Sequence, residues 1–179
     1  MEHLEYLLAA AERCDFLHVG ITQPDVDGLK PSSGAGSHRH DPAANPLTYA
    51  ERKELVTRVL LAAGIDRTTF AVHPFPIEQP EVLARFIPFT VTAFTTICDD
   101  WNVRKIEVLR SLGYNVQVLF RRDRQRITGS AVRHLIRTGD EAWTTLVPAA
   151  CRDYLISLGI AARLQPVAVP GGTAHVRLP

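Results

Sequence analysis

The sequence is poor in everything that would tie it to an oxidising compartment, a membrane or a polyanion. Only three of its 179 residues are cysteine, Cys14, Cys98 and Cys151, far apart and odd in number. That spacing excludes a disulfide framework and a zinc-knuckle pattern, and it points to a reducing, cytoplasmic setting. Charge of neither sign dominates, since 20 Lys and Arg face 19 Asp and Glu for a net +1. No overall field therefore draws the chain to nucleic acid or to an anionic membrane, and neither is expected as a partner. No apolar run approaches the ~18 to 20 residues of a membrane span. Glu2, His3, Glu5 and Glu12 stand where a secretory leader carries a basic start. What remains is ordinary globular usage, 46% hydrophobic and 22% charged, sufficient for one α/β domain with a buried core.

Hydrophobic spacing divides the chain into alternating elements. Leu4, Leu7, Leu8 and Ala11 mark an amphipathic helix over 3–13. Phe16 to Ile21 reads as a buried strand, and Gln23 to Pro46, rich in Gly, Pro, Ser, Asp and His, as a long functional or disordered loop. Thr48 and Glu51 form a capping-box signature ahead of Leu55, Val56, Val59 and Leu60, and Gly64 stops that helix. A strand near Thr69 to His73, a short helix after Pro80, a strand Val91 to Ile97, a helix Asn102 to Leu112 and a strand Asn115 to Phe120 follow. This alternation predicts a parallel sheet with helices on both faces. Beyond Arg126 only helices are expected, Ser130 to Arg137 and Ala149 to Leu158. Residues 1–164 form the predicted domain, and 165–179 an irregular C-terminal tail.

The strongest local feature is the basic run Arg121 to Arg126, interrupted by Asp123 and Gln125, followed by Ile127-Thr128-Gly129-Ser130-Ala131-Val132-Arg133. A strand that ends in cations, then hydroxyls and a glycine at a helix start, suits a polyphosphate. The free N–H groups and positive dipole end face the anion, Thr128 and Ser130 add donors, and Arg133 lies over the same turn. A plain helix cap beside a solvated basic stretch accounts for the same residues equally well.

Other candidates carry two readings each. Asp99 and Asp100 form a carboxylate pair of which at most one faces a crevice, or they cap the helix beginning near Asn102. Trp101 stacks on a base or shields the crevice. His38-Arg39-His40-Asp41 invites a metal but lacks a third ligand on a fixed element, so a polar loop tip is the better reading and no metal ligand is assigned. Arg52 reaches a phosphate or sits on a solvated face, and His73 ends a strand as a partly buried histidine. His18 reads as a core or edge residue, Cys98 as a small apolar one.

Taken in order, several of these strings resemble the archaeal-type nicotinamide mononucleotide adenylyltransferases, within the wider HxGH, cytidylyltransferase-like nucleotidyltransferase superfamily. Ile127 to Arg133 with Trp143 and Val147-Pro148 looks like its C-terminal signature. Asn45-Pro46-Leu47-Thr48-Tyr49-Ala50-Glu51-Arg52 looks like its Asn-Pro-Phe-Thr-x-x-Glu-Arg helix start. Leu112-Gly113-Tyr114-Asn115-Val116 matches its turn into the last strand, and His3-Leu4-Glu5 the end of the HxGH motif. The resemblance spans about the first 160 residues. It implies a Rossmann-like three-layer α/β fold with a small helical C-terminal subdomain. The family's first strand and first motif histidine do not precede His3. Their loss predicts two exposed strand edges and a slot in the core. The expectation is a chain that begins upstream, with a degenerate non-catalytic nucleotide-binding homologue second.

The resemblance further implies transfer of a nucleoside monophosphate from an NTP, ATP or CTP, to a phosphate- or phosphonate-bearing small molecule. Adenylyl transfer to nicotinamide mononucleotide comes first and cytidylyl transfer second. His3 and Arg133 are the implied catalytic residues. Arg124, Thr128, Gly129, Ser130 and Arg133 are the implied phosphate contacts, and Mg²⁺ the implied cofactor, bridging the triphosphate. Asp100, Trp101 and Asn102 fall at the acceptor and base position, where Cys98-Asp99-Asp100-Trp101-Asn102 replaces the family's Ser-Gly-Asn segment and only Asn102 fits. A homo-oligomer is a further expectation from the family.

Overall fold

The computed structural model describes residues 2–24, 45–122 and 127–165. In chain order these form α1 (Glu2–Ala11), β1 (Leu17–Ile21), α2 (Tyr49–Ala62), β2 (Phe70–Pro74), β3 (Thr92–Ile97), α3 (Asp100–Ser111), β4 (Asn115–Arg121), α4 (Gly129–Thr138), α5 (Trp143–Leu146), α6 (Ala149–Ser157) and α7 (Ile160–Arg163). The helix expected after Pro80 is a 3₁₀ segment, Pro80–Arg85. Helix α3 starts at Asp100 rather than Asn102, because the Asp99 side chain accepts from the Asn102 N–H and caps it. The short α5 and α7 were not legible, each being a single turn without its own periodicity.

Every strand pair is parallel, β1 with β2 and β3 with β4, as the alternation of helix and strand requires. Helices cover both faces. Phe94 of β3 and Leu119 of β4 pack with Leu7 and Ala10 of α1 and Leu60 of α2. Their neighbours Ala93 and Val116 pack on the opposite side with Leu109 of α3 and with Leu83 and Ile87. Successive strand residues thus feed two cores, the signature of a sheet sandwiched between helical layers. The result is a Rossmann-like three-layer fold. The C-terminal helices form a third core, where Ile136, Trp143, Cys151, Leu155 and Ile160 close on Val59 of α2.

The sheet is divided. Strand β1 pairs only with β2 and β3 only with β4 among the described residues, giving two two-stranded sheets. Between them lies a cavity of about 1250 Å³. Consecutive residues of both strands line it, Leu17 to Ile21 and Thr92 to Phe94. Since side chains alternate between faces, a surface touched by every residue in a row is a strand edge. Helix α1 roofs this slot, and the Tyr6 hydroxyl donates to the Phe94 carbonyl of β3. Its burial pushes the phenol up to about 12. At the far end of β1, Gly20 permits a close approach: a Cβ there would lie 2.8 Å from Cβ of Phe75.

Candidate active site

The C-terminal end of β4 and the N-terminal end of α4 build the site. Thr128 is the N-cap of α4, extended in backbone, and its hydroxyl oxygen accepts from the Ala131 N–H at 3.1 Å. The Val132 N–H bonds the Thr128 carbonyl at 3.2 Å. The N–H groups of Gly129 and Ser130 therefore precede the first helical bond and point out of the helix end. Arg133, one turn on, folds back and donates from Nη2 to Ser130 Oγ at 3.1 Å. A Cβ on Gly129 would meet Arg133 Nη1 at 3.0 Å, so the glycine leaves room for the guanidinium against the first turn. No acidic residue stands in that turn. Two backbone N–H groups, the Thr128 and Ser130 hydroxyls and the Arg133 guanidinium thus stand together at the positive end of the helix dipole, a donor set chemically suited to an anion.

His3 belongs to the same place. It is exposed in the first turn of α1 and lines both the large cavity and a smaller one of about 240 Å³ that it shares with Thr128, Gly129 and Arg133. Sequence positions 3 and 128–133 meet because α1 starts where β4 ends. A salt bridge holds that junction: Arg122 Nη2 lies 2.8 Å from Glu5 Oε2, with the guanidinium 4.9 Å over the Phe120 ring. The pairing of Glu5 with Arg122 was not foreseen, as nothing local links the two residues.

The remaining expectations fall elsewhere. Asp100 is exposed in the first turn of α3. Trp101 packs at the margin of the Leu83, Ile87 and Leu109 core. Asn102 Oδ1 accepts from the Cys98 N–H at 3.0 Å, which with the Asp99 cap closes the turn between β3 and α3. None of these three lines either cavity described above. Arg124 and the His38 to Asp41 cluster lie outside the described residues, and among those described no group of three or more His, Cys, Asp and Glu side chains is placed to hold a metal. Arg52 is not on the solvated face that is one reading of it. It is half-buried and bonds the carbonyls of Thr22 and Gln23 at 2.9 and 2.5 Å. His73 Nε2 lies 3.1 Å from His18 Nδ1 across β1 and β2, and burial, then His18 and Lys53, lower its pKa. Among the described residues no helix is long and apolar enough to cross a membrane.

No protein-family model matches the chain. Individual relatives do. A phosphonoformate cytidylyltransferase of Streptomyces viridochromogenes is 37% identical over 163 residues, covering 91% of this chain and 88% of that one. A nicotinamide-nucleotide adenylyltransferase of Pyrobaculum neutrophilum is 26% identical over 156 residues, 84% of each chain. One of Ignicoccus hospitalis is 26% identical over 141 residues, covering 78% of this chain and 81% of that one. Coverage of nearly the whole of a relative at 37% identity makes this chain an enzyme of the nucleotidyltransferase superfamily that holds the cytidylyltransferase and adenylyltransferases just named.

Proposed function

We propose that the chain transfers a cytidylyl group from CTP to a small phosphonate or phosphate acceptor, releasing pyrophosphate. The carrying observation is the 37% identity over 91% of the chain with a phosphonoformate cytidylyltransferase, against 26% over 84% with an adenylyltransferase. The Cys98 to Asn102 turn supports this order, since it departs from the adenylyltransferase segment it resembles. Adenylyl transfer to nicotinamide mononucleotide is the second reading, favoured by the Asn45 to Arg52 and Leu112 to Val116 strings.

In this reading an acceptor oxygen attacks the α-phosphorus of the nucleotide. The new P–O bond forms as the bond to the β-phosphate bridging oxygen breaks, and pyrophosphate leaves with that electron pair. The acceptor is already an anion, so no residue need remove a proton. Catalysis then rests on in-line placement and on neutralising charge at the transferring and leaving phosphates. The Gly129 and Ser130 N–H groups, the Thr128 and Ser130 hydroxyls and Arg133 hold the outer phosphates. His3, across the smaller cavity, donates to the α-phosphate as charge builds there. The divalent ion enters with the nucleotide as its magnesium complex. The described residues around α4 are donors rather than carboxylates and offer that ion no cage, so no step is assigned to it.

The test is a matrix of magnesium-CTP and magnesium-ATP against phosphonoformate and nicotinamide mononucleotide, read by pyrophosphate release and product mass. Turnover greatest with CTP and phosphonoformate is expected. Turnover confined to ATP with nicotinamide mononucleotide establishes the second reading instead, and nucleotide binding without turnover of any pair would assign the chain to a non-catalytic homologue.

A further inference from the structure

Gln23 is the one non-glycine residue with positive φ among those described, at φ 49°. It stands just beyond the end of β1, next to Thr22, which lines the large cavity as His3 does. A non-glycine residue in this region costs about 1 to 2 kcal/mol and persists only where its surroundings impose it. Among the described residues, one side chain bonds to this turn. Arg52, in the first turn of α2, donates from Nη1 to the Thr22 carbonyl and from Nη2 to the Gln23 carbonyl, at 2.9 and 2.5 Å. Both guanidinium termini are spent on consecutive peptide oxygens, and Nε is buried without a hydrogen-bond partner among the described residues. Desolvation is accepted for this contact, and it lowers the arginine pKa. An arginine serving only as a solvated counter-charge would not be placed in this way.

We infer that Arg52 is a positioning residue for the transfer reaction: it clamps the exit of β1 in the left-handed turn and turns two carbonyl oxygens away from the cleft that receives the anionic substrates. The inference rests on the nucleotidyl-transfer reading. Backbone carbonyls carry partial negative charge, and a pair of them free to swing toward a triphosphate or phosphonate would oppose its binding. The cation fixes their direction without touching substrate. Its loss would therefore raise KM far more than it lowers kcat, the mark of a lost binding geometry rather than a lost transition-state contact.

The experiment compares the wild type, Arg52→Gln and the double variant Arg52→Gln with Gln23→Gly. Glycine adopts positive φ unaided, so it restores the turn without the clamp. Two readouts are taken on each protein, steady-state kinetics and amide hydrogen exchange over residues 17–23. Arg52→Gln is expected to raise the KM of the nucleotide or the acceptor about tenfold with kcat within about threefold, and to speed exchange at Thr22 and Gln23. The double variant is expected to recover most of both. A collapse of kcat that the glycine does not rescue would place Arg52 on the substrate and overturn the inference. So would unchanged exchange with unchanged KM. A wild type that turns over no substrate pair defeats the nucleotidyl-transfer reading, and with it the substrate role of the clamp, whereas wild-type turnover with unaltered KM in Arg52→Gln defeats the clamp alone.

Discussion

A methyl group at position 129 separates the stability of α4 from the affinity of the site it carries. Alanine in place of glycine stabilises a helix by about 0.5 to 1 kcal/mol, chiefly by restricting the unfolded chain, and by less at the first helical position. Gly129 has ordinary helical backbone, so nothing in its conformation opposes the change. The built Cβ lies 3.0 Å from Arg133 Nη1, close enough that the guanidinium must give by a few tenths of an ångström. The end of a flexible arginine gives readily, so the fold keeps its gain and Tm rises by up to about 3 °C for a chain of this size. The site has the opposite response. The guanidinium moves off Ser130 and the methyl projects toward the N–H groups that face the anion. A loss of about 1 kcal/mol there weakens nucleotide binding roughly fivefold. The assay is thermal or denaturant unfolding without ligand, together with calorimetric titration of magnesium-CTP and magnesium-ATP. A raised Tm with unchanged affinity would show that Arg133 and the first turn of α4 do not hold the phosphates. A lowered Tm would show that the turn has no room for the methyl.

Arg133→Ala should weaken nucleotide binding at least tenfold while Tm without ligand moves by no more than about 2 °C; a large loss of stability would make the residue structural. His3→Ala should abolish turnover and leave the calorimetric affinity for nucleotide near that of wild type, and unchanged turnover would remove His3 from the mechanism. Leu60 is fully buried between α2 and the β1–β2 pair, so Leu60→Ala should cost about 2 to 5 kcal/mol in denaturant unfolding; less than about 1 kcal/mol would mean that this core relaxes freely. The lowered pKa of His73 means that the folded state resists a proton which the unfolded chain accepts near its ordinary value. Stability is then complete above about pH 6.5 and falls as pH drops below it toward the folded pKa. His73→Gln should flatten that decline between pH 7.5 and pH 5.5, and an undiminished decline would refute the assignment.

Features set by near neighbours in sequence were readable. The Thr48 and Glu51 box forms as expected, with the Thr48 N–H donating to the Glu51 carboxylate and the Glu51 N–H to the Thr48 hydroxyl. The start of α4 was readable for the same reason, since cap, glycine and arginine lie within one turn. Features set by distant residues were not. Glu51 also binds Arg163 at 2.7 Å across 112 positions, tying α7 to α2 through a residue whose local role looked complete. Arg52 sits beside it and reads as a phosphate contact or a solvated residue, and its bonds to the end of β1 are not visible locally. Trp101 carries two readings, a stacking platform or a shield for the crevice, and only the tertiary packing shows that it lies against the Leu83, Ile87 and Leu109 core. The divided sheet was legible by another route: alternation predicts only parallel pairs, but the absence of the family's first strand predicts two exposed edges and a slot, and two separate sheets with a cavity between them are what the described residues form.

Three α-helices among the described residues begin with a side-chain cap, and comparing them shows why one is suited to a polyphosphate. Helix α2 closes its own N-terminus, as the Glu51 carboxylate occupies the Thr48 N–H and brings negative charge into the first turn. Helix α3 is capped by Asp99 and carries Asp100 one position on, two carboxylates against the positive end of the dipole. Both ends are thus already satisfied by anions of the chain's own, and a further phosphate would be repelled. Helix α4 shares a neutral hydroxyl cap with α2, but alone of the three it has no acidic residue in its first turn and lays an arginine back across it. Its first turn offers the dipole no acidic counter-charge and adds a cation, a costly arrangement for an isolated helix and a favourable one for a helix that binds a triphosphate. Replacing Ala131 with Glu would give α4 the charge pattern of the other two, so that variant should fold with equal or greater stability and bind nucleotide at least tenfold more weakly. Retained affinity would mean that the polyphosphate is held somewhere other than at this helix end.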